Sequence, residues 1–236
     1  MEELKKQLQE KGYTFFNMKD YPEFSDEYIK YKKYICNAEK NLLDSITSLR
    51  ISARYGKDSP KASEGDSMSI DESAKTFSEI LERAETDYIP YATHDGFAQY
   101  WFYTPFDGIT SEFKPFINKL VNIFYNEPAD SLSHITSLTY YKKGCFLNEH
   151  RDGKCGTRIC AILIYLNDED YNSEWGGNIV FEGTESVNPT YGNVAILDFK
   201  EGNCLHEVKK VVDGYGRYAI LDFVSLGESV NTPNHY

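Results

Sequence analysis

The sequence predicts an α+β chain: a C-terminal double-stranded β-helix, or jelly roll, preceded by a mostly helical N-terminal flank. Two observations carry this. From about residue 135 onward, short apolar stretches with a strand-like period alternate with clusters of turn residues. Before that point the apolar residues recur mainly at helical spacings. Many short strands at regular spacing fit a sandwich or barrel, and a double-sheet jelly roll satisfies the pattern. The division expected is 1–130 for the flank, packed on the sheet, and 131–236 for the jelly-roll core, together forming one compact unit.

The elements follow in order. Residues 2–11 are rich in Glu, Lys, Leu and Gln, which favour helix, and Gly12 ends the stretch. Tyr13 to Phe16 reads as a short strand. Residues 23–50 give one or two helices, with Tyr28, Tyr31 and Ile35, then Leu42, Leu43, Ile46 and Leu49, at helical spacings. Residues 55–72 are rich in Ser, Gly, Asp and Lys and read as a mobile loop. Residues 73–85 and 108–126 read as helices. In the second, Ile109, Phe113, Phe116, Ile117, Leu120, Val121 and Phe124 form an apolar stripe. Strands are expected at 137–141, 158–166, 178–181, 193–199, 206–212 and 217–224. Turn residues separate them, among them Gly144, Gly153, Gly176-Gly177, Gly192, Gly202 and Gly214.

Composition bounds the function. The chain has 236 residues, 41% hydrophobic and 15% aromatic, enough to bury one sizeable core. No apolar run approaches the roughly 18 residues that span a bilayer, and the N-terminus lacks the apolar stretch of a secretory signal. The five cysteines show no CxxC pair or zinc-like spacing, so reduced thiols in a cytoplasmic protein are expected. The formal charge of −12 disfavours nucleic acid and anionic membrane as partners. Its simplest meaning is solubility.

The chemistry-bearing residues are His150 and Asp152, then His206, then Arg217. Two imidazoles and one carboxylate can occupy one face of an octahedral ion and leave the remaining positions open, an arrangement characteristic of non-haem Fe(II) oxygenases. Two residues apart on a regular strand, His150 and Asp152 point to one face. Each feature alone is weak: one HxD arises readily by chance in an acidic chain with five histidines, and a lone His206 on an apolar strand is most often structural. The ordered set is what carries weight.

The wider pattern resembles prolyl 4-hydroxylase-like 2-oxoglutarate- and Fe(II)-dependent dioxygenases. Tyr141, Gly144, Leu147, His150 and Asp152 resemble that family's Y-x-x-G…H-x-D segment. Arg158 through Tyr165-Leu166-Asn167, Gly176-Gly177 with Phe181, and Pro189 to Gly192 resemble its next landmarks, as do Phe199, His206-Glu207-Val208 and Gly216-Arg217-Tyr218. The resemblance spans about 136–224, and nothing in 1–130 contributes to it. It implies that His150, Asp152 and His206 ligate Fe(II). It implies that Arg217 pairs with the distal carboxylate of 2-oxoglutarate, a task suited to the guanidinium fork. Tyr141 is the expected hydroxyl on that cosubstrate, with Tyr140 the alternative if the register slips, and Tyr165 lines the same pocket. Dioxygen is the second cosubstrate, and ascorbate would serve as reductant. Hydroxylation of an unactivated carbon would release succinate and CO2.

Arg217 lies slightly farther beyond His206 than the family pattern leads one to expect, so Lys209 and Lys210 are alternatives. A prolyl residue in a peptide or protein is the substrate the resemblance favours, and a free amino acid or other small molecule is the nearest rival. Two other classes compete: a non-catalytic cupin-like binding protein and a zinc hydrolase using two His and a carboxylate. Core packing is the simplest role for the aromatic run Tyr100 to Tyr103, and His94 and His134 read as structural. Trp175 with residues 168–176 is a candidate lid. Cys204 is expected to approach the site from two residues before His206.

Overall fold

The structure, a computed structural model, describes residues 1–36, 50–55, 96–102, 109–141, 143–152, 157–199 and 204–227. The expected helix at 73–85, the loop at 55–72 apart from Tyr55, His94, Tyr103 and Cys155 lie outside these residues. So do the side chains of Tyr100, Trp101 and Phe102.

Helix α1 (Glu2–Lys11) opens with Glu2 and Glu3 and closes with Lys11, each charge matched to its end of the helix dipole. Gly12 stops it in the left-handed conformation (φ 76°) and donates its N–H to the Leu8 carbonyl. Strand β1 (Tyr13–Asn17) follows, as expected, then helix α2 (Ser25–Tyr31). Helix α3 (Ile109–Tyr125) buries Phe113, Phe116, Ile117, Leu120 and Val121 completely. Each such side chain contributes about 1.5–3 kcal/mol of burial.

Two strands come from the half read as helical: β2 (Arg50–Tyr55) and β3 (Gly96–Phe102). The second carries most of the aromatic run, and aromatic residues favour the pleated sheet. The remaining strands are β4 (Leu132–Tyr141), β5 (Phe146–His150), β6 (Arg158–Tyr165), β7 (Ile179–Phe181), β8 (Glu185–Val187), β9 (Asn193–Asp198), β10 (His206–Val208) and β11 (Arg217–Leu226). The strand expected at 206–212 ends at Val208. Beyond it the chain leaves β7 and β5 regularity, and Val211 instead exchanges backbone hydrogen bonds with Gly144 and Cys145.

The described strands pair antiparallel, in the order β1-β9-β6-β11-β4-β3-β5-β10-β7-β8, with β2 on the side of β3, and Asn167 makes isolated parallel bridges to Cys36 and Thr190. The path turns at β3, which pairs with β4 through Tyr100, Trp101 and Phe102 and with β5 through Phe97 and Ala98. Two sheets thereby face each other. One core lies between them: Ala161, Leu163, Tyr165, Ala195, Leu197, Ala219 and Phe223 from the larger sheet meet Ile179, Phe181 and Val187 from the smaller. Tyr13 of β1 joins this layer, stacked on Phe181 at 4.3 Å. A second core covers the outer face of the larger sheet, where Leu138, Ile162, Ile164, Ile196, Ile220 and Val224 pack with the helices. This is the expected double-stranded β-helix, and its inner layer positions the site.

Candidate active site

Strands β5 and β10 are antiparallel neighbours with His206 directly opposite His150. His150 ends one strand and His206 begins the other, so both imidazoles stand at the same end of the pair, ring centroids 4.3 Å apart. Asp152 lies two residues past the end of β5. Its carboxylate turns back between the rings: Oδ1 is 3.4 Å from His150 Nε2 and Oδ2 is 3.6 Å from His206 Nε2. Three ligand atoms, one from each residue, lie within 4.8 Å of one another.

The second ring nitrogens fix the tautomers. His150 Nδ1 is 2.8 Å from the Asn148 carbonyl and His206 Nδ1 is 3.1 Å from the Cys204 carbonyl. A carbonyl only accepts, so both Nδ1 atoms carry the proton and donate it. In the neutral imidazoles, both Nε2 lone pairs therefore face the carboxylate. Three electron-pair donors aimed at one point call for a cation, and two imidazoles with one carboxylate suit Fe(II). Cis donors on bonds of about 2.1 Å stand about 3 Å apart, close to the separations seen.

The electrostatics agree. Burial pushes the Asp152 carboxyl up, but His206, His150 and Arg158 outweigh it and hold the group below the ordinary aspartate value. Burial pulls His150 down, and the hydrogen bond and charge of Asp152 outweigh it and leave the ring above the ordinary histidine value. Phe181 stands beside His206, its ring centroid 6.5 Å away. Glu182 follows in a left-handed conformation (φ 47°) unusual for a residue with a side chain. Its Oε1 accepts the Leu205 N–H at 2.8 Å and lies 3.5 Å from the Arg151 guanidinium. One carboxylate thus ties the residue before His206 to the residue between His150 and Asp152.

Arg217 begins β11 opposite Tyr141 of β4 and is 1% exposed. Its guanidinium lies 4.7 Å over the Tyr141 ring and 5.1 Å over the Tyr165 ring, and Nη2 donates to the Tyr165 hydroxyl at 3.4 Å. Among the described residues no carboxylate pairs with it, and Nε has no hydrogen-bond partner. A buried cation without a counter-ion is costly unless an anion completes it. Tyr141 stands directly across from Arg217 on β4 and is buried beneath its guanidinium. Burial raises its phenol, Arg217 lowers it and Asp152 adds to the rise. Tyr165 is likewise raised by burial and lowered in part by Arg217.

The structure separates the alternatives. Tyr140 stacks on Tyr218 at 4.6 Å and donates to the Tyr215 carbonyl, away from Arg217. Lys209 is exposed and paired with Glu207 at 2.6 Å, and Lys210 is also exposed. The longer spacing to Arg217 is taken up by the loop 209–216. His134 is structural: its Nδ1 meets Asp222 Oδ2 at 2.9 Å across β4 and β11. Residues 168–176 are tied down at the Arg217 end, where Val212 N donates to the Trp175 carbonyl and Trp175 packs edge-on against Tyr171 and Tyr215. This anchored packing gives no support to a lid there. Cys204 is buried, and its thiol is pushed up to about 12 by burial, with the Asp152 charge adding to the effect.

Several residues had no role in the sequence reading. Arg158 lies 4.5 Å over the Phe223 ring and helps hold Asp152 ionised. A Cβ on Gly177 (φ 74°) would stand 3.2 Å from Arg217 Cβ and 3.3 Å from the Tyr171 hydroxyl, so only glycine lets the backbone pass this close. Asn167 was visible as part of Tyr165-Leu166-Asn167, but nothing in the sequence assigned its side chain a partner. Tyr171 carried no signal, because its segment reads only as a turn.

Comparison with known proteins agrees with this donor set. Residues 136–225 match the model of the 2OG-Fe(II) oxygenase superfamily. The match covers less than half of the chain and includes His150, Asp152, His206 and Arg217; Fe(II), 2-oxoglutarate and dioxygen are the metal and cosubstrates that go with a core of this kind. Two solved structures are similar in fold. A prolyl-4-hydroxylase from Pseudomonas putida is 14% identical with a TM-score of 0.52, over 96% of this chain and 99% of that one. A prolyl hydroxylase from Trichoplax adhaerens, in complex with a hypoxia inducible factor oxygen degradation domain peptide fragment, is 17% identical with a TM-score of 0.51, over 94% and 87%. No curated protein sequence matches this chain. Among the described residues no helix is long and apolar enough to cross a membrane.

Proposed function

We propose that this chain hydroxylates an unactivated carbon of a prolyl residue in a peptide or protein, consuming 2-oxoglutarate and dioxygen and releasing succinate and CO2. The observation that carries the reading is Arg217, a buried guanidinium lacking a carboxylate partner among the described residues, together with the three converging donor atoms of His150, Asp152 and His206. A dicarboxylate that chelates a metal at one end and needs a cation at the other matches that arrangement.

His150, Asp152 and His206 would hold Fe(II), which would supply the redox chemistry that lets dioxygen react, the net electrons coming from 2-oxoglutarate and the substrate. The Nδ1–H donations to Asn148 and Cys204 keep both Nε2 atoms aimed at the ion. Arg217 would bind the distal carboxylate by charge-assisted hydrogen bonds, strong in a site closed to water. Tyr165 holds the guanidinium from one side, and the Tyr141 ring walls the other. Both phenols stay protonated at neutral pH, so either hydroxyl donates to an anion. The prolyl substrate is supported by the family resemblance and by the two prolyl hydroxylases of similar fold, one of them bound to a peptide. In this reading residues 131–236 carry the chemistry, and the described residues before them supply outer helices and the sheet strands β1, β2 and β3. Buried reduced thiols and the need to keep iron ferrous support a cytoplasmic setting.

The test is anaerobic addition of 2-oxoglutarate to Fe(II)-loaded protein, watching for the weak visible charge-transfer band of a chelated keto acid. The band is expected in the native chain and lost in His206→Ala. In Arg217→Ala it should need much more 2-oxoglutarate. Proline-containing peptides and free amino acids are then compared by mass spectrometry for the gain of one oxygen. No band in protein that holds iron would overturn the reading.

A further inference from the structure

The buried Arg217 guanidinium makes few directional contacts among the described residues. Two ring faces and a single 3.4 Å hydrogen bond surround a long, rotatable group. Its direction also depends on the backbone end, and the backbone there is unusual. In the pairing of β6 with β11, Ala219 faces Tyr165, so the next pair along is Tyr218 with Leu166. The Leu166 N–H does donate to the Tyr218 carbonyl, at 3.1 Å. A regular antiparallel pair would return the bond from the Tyr218 N–H to the Leu166 carbonyl. Here the Leu166 carbonyl accepts from Cys36 N at 2.7 Å, as the chain peels away from β11.

The side chain of Asn167 supplies the missing bond. Its Oδ1 accepts the Tyr218 N–H at 2.7 Å, and its Nδ2 donates to the Gly216 carbonyl at 2.6 Å. These two groups belong to the residues on either side of Arg217. One amide, with no solvent exposure, therefore clamps the backbone on both flanks of the guanidinium-bearing residue. Asn167 is itself fixed: its backbone N–H donates to the Pro189 carbonyl at 3.3 Å, and its carbonyl accepts the Tyr191 N–H at 2.6 Å. Gly216 takes up the awkward geometry at the entry to β11 (φ 99°), where a Cβ would lie 2.4 Å from the Tyr140 ring.

We propose that Asn167 is a positioning residue for the cosubstrate: by clamping Gly216 and Tyr218 it aims the Arg217 side chain at the distal carboxylate of 2-oxoglutarate. The proposal rests on the role given to Arg217 above. Asn suits the task because a primary amide donates from one atom and accepts on the other, matching a carbonyl on one side and an N–H on the other. Alanine does neither. Aspartate keeps the acceptor for Tyr218, and its carboxylate form has no donor for Gly216. The effect of losing the clamp must fall on the distal carboxylate alone, because the metal ligands sit on β5, β10 and the turn after β5.

The experiment compares two keto acids bound anaerobically to the Fe(II)-loaded chain, read by the charge-transfer band. 2-Oxoglutarate has the distal carboxylate, and pyruvate chelates in the same way without one. Asn167→Ala is expected to weaken 2-oxoglutarate about tenfold, with pyruvate and Fe(II) binding unchanged. Asn167→Asp should fall between the native chain and Asn167→Ala. In an Arg217→Ala background, Asn167→Ala should weaken 2-oxoglutarate no further. Equal weakening of both keto acids, or full additivity with Arg217→Ala, would mean that Asn167 acts only on general stability, and the proposal falls. Should Asn167→Ala fail to fold by near-UV circular dichroism, Asn167→Asp is read against the same outcomes. If Arg217→Ala weakens 2-oxoglutarate and neither Asn167 variant does, this inference alone fails. If Arg217→Ala leaves 2-oxoglutarate binding unchanged, the role of Arg217 fails and carries this proposal with it.

Discussion

His150 and His206 are direct partners across β5 and β10, and each donates its Nδ1–H to the carbonyl two residues before it, Asn148 and Cys204. The two arms are therefore built alike, and the Asp152 carboxylate meets both rings on the Nε2 side. Register and local hydrogen bonding together give the cluster its shape before any ion binds, so little reorganisation is needed on loading.

The first prediction concerns pH. In the metal-free chain Asp152 titrates below, and His150 above, the ordinary values. The Asp152 contribution to stability is thus present above the ordinary aspartate value and lost as pH falls through its lowered folded value. The His150 contribution is fully present below the ordinary histidine value and is lost as pH rises through its raised folded value. A metal binds only the deprotonated imidazole, so protons compete with it up to a higher pH than at a free histidine. The gain in Tm on adding Mn(II) should be small in mild acid and grow through neutrality. Thermal melts at a series of pH values check this, and a gain independent of pH would contradict it.

A second prediction follows from Glu182. Glu182→Ala removes the acceptor for Leu205 N–H and the contact with Arg151, so the two arms of the cluster lose a common tie. Iron affinity should fall several-fold, whereas Glu182→Gln, which keeps an acceptor oxygen, should stay near native. Both partners are partly exposed, so the effect is expected to come from the hydrogen bond more than from the ion pair. Competition with a chromogenic chelator measures it.

The double glycine makes a third. A Cβ on Gly176 (φ 79°) would lie 2.0 Å from the Lys210 carbonyl oxygen, and one on Gly177 would press on Arg217 Cβ and Val211. Gly176→Ala should destabilise the fold by about 2–4 kcal/mol, because backbone meets backbone and neither yields easily. Gly177→Ala should cost less stability but weaken 2-oxoglutarate binding. Urea unfolding, read beside a binding titration, separates the two.

Cys204 gives the fourth. Its thiol is buried and pushed up to about 12, so at neutral pH almost no thiolate exists to react. Iodoacetamide should leave Cys204 unlabelled in the native chain and label it after unfolding in urea. Peptide-resolved mass spectrometry reads the difference, and rapid native labelling would mean that the strand before His206 opens readily.

Much of this protein was legible in the sequence because the decisive signals are local. The end of α1 at Gly12 needs only a residue tolerant of positive φ, and the stripe of α3 needs only a 3.6-residue period. His150, Asp152, His206 and Arg217 stand out as candidates by residue type and order along the chain. Tertiary structure decided what depends on partners distant in sequence. The register of β10 on β5 sets the two imidazoles side by side, and no property of residues 206–208 alone dictates it. Strands β2 and β3 exist as members of a sheet closed by β4 and β5, so a helical or aromatic reading of those stretches carried no trace of the pairing. The clamp of Asn167 on Gly216 and Tyr218 spans about fifty residues of chain and replaces a ladder bond that the backbone gave up to Cys36. The sequence by itself singled out the candidate donor and cation side chains, since their chemistry follows from side-chain type. Only the folded chain decided where those atoms point, because direction is set by hydrogen bonds between segments that the sequence does not reveal as neighbours.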